Sequence, residues 1–262
     1  MNLKIIDFIK SKLTGLRKRR KLNLNKPKEV SIYLKNSFNE KQKEQIKLGI
    51  ERYLDVSVYA RPDFDWKQMK IIRLGLQISL DVSWYAKLEF NSYQMEEIYS
   101  GLEDGIDVSI YAKPEFDERQ MQQIRRGLRE GINVALYAKP EFNYTQMREI
   151  RYGLRNNIDV STYAKIEFDR DQMEEIRFGL EKGLDVSTYA KPEFIWEQMS
   201  EIRIGLMINL DVSVYAKPEF IWEQMEQIHL GLRNGIDVSY YLNPGISWEK
   251  MKQIRLELES NK

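Results

Sequence analysis

Tyrosine stands at positions 33, 59, 85, 111, 137, 163, 189, 215 and 241, always 26 residues apart. Phenylalanine keeps the same step from 38 to 220, with Ile246 closing the series, and methionine keeps it from 69 to 251. Counted from Glu29, nine copies of 26 residues run to residue 262 without insertion or deletion. No other feature constrains the fold so strongly. A unit this short cannot bury its own apolar face, so copies must stack, each touching only its neighbours. The expected fold is all-α: an α-solenoid of nine 26-residue two-helix repeats over residues 29–262, preceded by a basic segment, residues 1–28.

Within a copy, Asp107 followed by Val108 to about Lys113 reads as a first helix of fewer than two turns, capped by the carboxylate and stopped at Pro114. Asp117 with Gln120, like Asp65 with Gln68, has capping-box spacing. Met121, Ile124 and Leu128 then mark the buried face of a second helix of about three turns. Gly105-Ile106, Gly131-Ile132, Gly183-Leu184 and Gly235-Ile236 fit left-handed glycine caps with an apolar residue packing back.

Glycine also recurs inside the second helix, at 75, 101, 127, 153, 179, 205 and 231. There it is about 1 kcal/mol worse than alanine, so something must require it. Close backbone approach by the next copy would, and the last copy, which has no next neighbour, carries Glu257 instead. By the same logic the methionine column, which becomes Lys43 in the first copy, faces the preceding copy.

The chain has no cysteine and one histidine, His229. Disulfides, thiolate nucleophiles, cysteine-ligated zinc and most imidazole chemistry are thereby removed. The recurring polar columns are Asp at 55, 81, 107, 159, 185, 211 and 237, and Arg at 73, 125, 151, 177, 203 and 255. A catalytic site is needed once, whereas these occur in nearly every copy, so they read as caps and inter-repeat ion pairs. The alternative is an arginine ladder facing a groove and binding a polyanion. His229 reads as a substitution within the arginine column. No phosphate loop, serine elbow or HExxH sequence occurs. No catalytic, cofactor or metal site is expected, and the chain reads as non-enzymatic.

Specificity in an array lies where copies differ. The third copy carries minus 5, adds Glu96, Glu97, Glu103 and Asp104, and has Tyr99 in the arginine column. It predicts an acidic patch. Trp196, Trp222 and Trp248 share one column, and Ile195 and Ile221 replace the usual Asp or Asn cap beside two of them. Capping exchanged for apolar surface predicts an aromatic ridge for a partner or for self-association, extended by Met207 and Ile208.

Formal net charge is +1, but residues 1–28 hold ten Lys/Arg and only Asp7, so a +9 tip precedes a minus 8 array. Leu3, Ile6, Ile9, Leu13 and Leu16 form one helical stripe, followed by Arg17, Lys18, Arg19, Arg20 and Lys21. This basic amphipathic helix lacks the uninterrupted apolar core of a signal peptide and is too charged to span a bilayer. It can cap the array, contact nucleic acid through the basic run, or lie on an anionic membrane.

The motif Asp-Val-Ser-x-Tyr-Ala-Lys-Pro-Glu-Phe at 107–116, 185–194 and 211–220, joined to Gln-Met-x-x-Ile-Arg-x-Gly-Leu at 172–180, resembles the tandem helical repeats of bacterial phage and mobile-element proteins. The resemblance covers residues 29–262 and implies a bacterial, cytoplasmic, mobile-element context, with no activity and no site residues to transfer. The expected function is a non-enzymatic scaffold that binds a macromolecule, first of all a protein. An inhibitor of a host defence nuclease, of the anti-CRISPR kind, is one such role. The alternatives are a nucleic-acid-binding protein using residues 17–21 and the arginine ladder, and a membrane-surface scaffold.

Overall fold

The computed structural model describes residues 37–261; the basic segment with Arg17 to Lys21 and the opening residues of the first copy lie outside them. Nine α-helices occur among the described residues: α1 Glu40–Glu51, α2 Trp66–Gln77, α3 Ser92–Glu103, α4 Glu118–Arg129, α5 Tyr144–Arg155, α6 Arg170–Glu181, α7 Trp196–Met207, α8 Trp222–Arg233 and α9 Trp248–Ser260. They fall into two compact units that divide between Val108 and Ser109. The first holds α1–α3 and the second α4–α9. Each is an all-α solenoid in which consecutive helices pack on one another.

In copies two to nine the short first helix is in fact a single 3-10 turn, such as Val56–Val58 or Val160–Thr162. The reason is local. The Asp55 carboxylate accepts from Ser57 N at 3.1 Å, and one i to i+3 bond forms, Tyr59 N to Val56 O. Arg61 N then donates back to Tyr59 O and Phe64 N to Arg61 O. This succession of tight turns uses up the residues a second turn of this helix would need.

Helices α1–α6 follow the capping-box reading. Asp117 Oδ1 accepts from Gln120 N at 2.8 Å while Gln120 Oε1 accepts from Asp117 N at 2.8 Å. At the other end Ile132 N reaches Gly127 O, and Gly131 sits at φ 72°. That left-handed position is also occupied by Tyr53, Ser79, Asn157 and Asn209 in copies without a glycine there. In copies two to eight five recurring apolar side chains form the core, for example Val160, Tyr163, Phe168, Met173 and Ile176.

Two devices lock one copy to the next. The first explains the helical glycine. A Cβ on Gly153 would lie 2.0 Å from Tyr163 Oη and 2.8 Å from Val160 Cγ1, both in the following copy. The close approach is therefore by a side chain, where backbone was expected. Tyr163 Oη donates to Glu149 O at 3.3 Å, and Tyr59, Tyr137, Tyr189 and Tyr241 do the same one turn before their own glycines. The hydroxyl occupies the space a side chain would fill.

The second device is the capping glutamine, which serves two copies. Gln172 Oε1 caps its own helix at Asp169 N, and Gln172 Nε2 donates to Phe194 O at 2.6 Å just before the next helix. Gln42, Gln120, Gln146, Gln198 and Gln224 repeat the bridge. Because it joins N-terminus to N-terminus, neighbouring helices within a unit run parallel. The ninth copy has Lys250 in this column and Glu257 in the glycine column. Substituting Gln172→Glu keeps the capping acceptor but turns a buried carbonyl toward a carboxylate, and we expect a loss of about 1–3 kcal/mol. An unchanged urea midpoint would show that the bridge carries no stability.

Candidate functional site

The arginine column faces inward. Arg73, Arg151, Arg177 and Arg255 are buried, and each donates to a residue 28 positions earlier, on the preceding helix. Arg151 Nε reaches Gln123 Oε1 at 3.3 Å, Arg177 Nη2 reaches Glu149 Oε2 at 3.1 Å, and Arg203 Nε reaches Glu175 Oε2 at 2.7 Å. Arg151 also forks onto Glu130 at 2.8 and 2.9 Å. These guanidinium groups hold copies together, and the buried ones are closed to a polyanion. Where the acceptor is Ile71, the position 28 residues later is Tyr99. Burial, then Glu103, raises the Tyr99 phenol.

His229 takes the same place, with Nδ1 3.2 Å from Glu201 Oε2. Its Nε2 is buried and without a partner. No group of three or more metal-ligating side chains occurs among the described residues.

The acidic copy is more balanced than its sum of charges implies. Glu96 lines a cleft of about 280 Å³ between α2 and α3 that also presents Trp66, Lys67, Lys70 and Tyr93. Lys67 Nζ stands 5.3 Å from the Tyr93 ring. Glu96 is exposed, whereas Glu97 and Tyr99 are half-buried.

The tryptophan column comes together as an edge. Ile195 and Ile221 are 51% and 49% exposed, and Trp196 and Trp222 are 42% and 37% exposed. All four lie at the N-terminal ends of α7 and α8, which run parallel because Gln198 bridges to Phe220. The isoleucines have no side-chain acceptor for the first turn, although Ile195 N still donates to Gln198 Oε1 at 2.9 Å. Trp248 is half-buried at the start of α9, in the same column. Met207 and Ile208 are exposed but close the other end of α7, about 16 Å away at 1.5 Å per residue. They do not extend the ridge.

Sequence reasoning missed a third surface. Helices α4 and α5 together hold seven arginines and two glutamates. Arg126, Arg129, Tyr152 and Arg155 line a cleft of about 460 Å³ with the Arg151–Glu130 pair. The compositional hint was present, since the fifth copy carries +2, but which arginines face outward was not. No family of known proteins, no curated protein and no solved structure matches this chain, so its reading rests on its own surface.

Proposed function

We propose that the chain is a helical-repeat scaffold that binds a protein, and that the N-terminal edge of α7 and α8 is the surface its partner covers. One observation carries this reading: two helix caps have been replaced by isoleucines whose side chains stand half in solvent. A polar cap contributes about 1 kcal/mol, and an exposed isoleucine returns little of it to the folded chain. With Trp196 and Trp222 the isoleucines put four exposed apolar side chains at the same ends of two neighbouring helices, and exposed apolar surface of this kind marks partner sites and holds their strongest anchors.

Restoring the caps separates binding from folding. Ile195→Asp with Ile221→Asp should raise stability by about 1 kcal/mol per site, because each carboxylate meets free first-turn amides. The same pair should abolish partner capture in affinity purification from the native host with nuclease treatment and mass spectrometry. Equal recovery of the same proteins by both forms would sink the proposal. Light scattering of the two forms tells whether the partner is a second copy of this chain.

A further inference from the structure

Two exposed arginines of α4 and α5, Arg126 and Arg155, make no hydrogen bond or ion pair between copies among the described residues. The bonds between these two helices are made by Arg151, with Gln123 and Glu130 as acceptors. Arg126 and Arg155 stand in solvent, and their guanidinium groups have no acid partner among the described residues. Compensation of the helix dipole does not account for them. Six of the nine described helices have no basic residue in the last turn, and they form the same geometry. The only carboxylate lining the cleft, Glu130, is already held by Arg151 through both oxygens.

We propose that this cleft binds an acidic peptide segment of a protein, with Arg126 and Arg155 as the carboxylate clamps and Arg151 as a fixed wall. Charge complementarity sets the class of ligand, because a planar guanidinium pairs with a carboxylate through two parallel hydrogen bonds. Nucleic acid is the less suited polyanion. Unspecific binding of single strands relies on bare aromatic faces for base stacking, and the one tyrosine lining this cleft, Tyr152, already has guanidinium groups against its ring. Arg151 and Arg177 lie 4.9 and 5.9 Å from that ring. The surface lies on α4 and α5, apart from the tryptophan edge, and stands whether or not that edge binds a partner.

The test is fluorescence anisotropy with a labelled glutamate decapeptide and, separately, a single-stranded oligonucleotide of equal charge, each titrated with the full chain. The peptide should bind in low salt. Arg126→Gln with Arg155→Gln should weaken it at least tenfold, while a control pair on other helices, Lys182→Gln with Lys217→Gln, should leave it within twofold. Both variants should keep the wild-type helical circular dichroism. Absence of peptide binding, equal loss in the control pair, or tighter binding of the oligonucleotide would each overturn the proposal.

Discussion

Gly153→Ala should destabilise the chain by about 2–3 kcal/mol, although helix propensity alone predicts a gain of about 1 kcal/mol. The new methyl carbon would stand 2.0 Å from Tyr163 Oη and 3.2 Å from its Cζ, so the ring must move. Overpacking of this kind costs about 1–3 kcal/mol. The displaced hydroxyl also loses Glu149 O as acceptor, a buried polar loss of about 1–3 kcal/mol. Removing the hydroxyl removes the collision. Tyr163→Phe alone should cost about 1 kcal/mol for the lost bond, and the double variant should be clearly more stable than the two single effects added. Strict additivity in urea unfolding would mean that the glycine column serves some purpose other than seating the tyrosine.

Alkaline titration should unfold the array in one steep step. The hydroxyls of Tyr59, Tyr85, Tyr137, Tyr163, Tyr189 and Tyr215 are held protonated well above the usual phenol range by burial. Tyr241 is pushed up to about 12, again by burial, with Arg255 pulling the other way. Phenols in an unfolded chain ionise near pH 10. A folded value above the unfolded one means that the stabilisation is complete below about pH 10 and is lost as pH rises through the folded values. Phenolate absorbance and loss of helical circular dichroism should therefore appear together. Gradual ionisation of all 15 tyrosines around pH 10 with the helical signal intact would contradict the burial of this column.

The sequence made the repeat, the capping boxes and the left-handed helix ends legible because each is a short-range pattern set by two to five neighbouring residues. What it hid is what links copies at an offset. Arg151 meets Gln123, one repeat and two residues away, so its partner cannot be found by comparing like columns. Gln172 has the capping-box spacing expected of either Glu or Gln, and only its second bond, to Phe194 O, explains why glutamine fills this column in every copy but the last. The orientation of α4 and α5 had the same effect on Arg126 and Arg155. Nothing in their spacing distinguishes a wall of the cleft from a strut between copies, and the apolar residues at the two ends of α7 read in sequence as one surface although the length of the helix separates them.

The parallel course of the helices has an electrical consequence. In an antiparallel bundle neighbouring macrodipoles cancel; here, in the second unit, six of them point the same way. Each helix ends in partial charges of about +0.5 and −0.5, so the unit has one positive and one negative long edge independent of its ionised side chains. A charged molecule approaching it feels a torque before it makes any contact. Which edge it meets first is therefore set by the backbone, and the arginines of α4 and α5 reverse the local sign on the edge that would otherwise repel an anion.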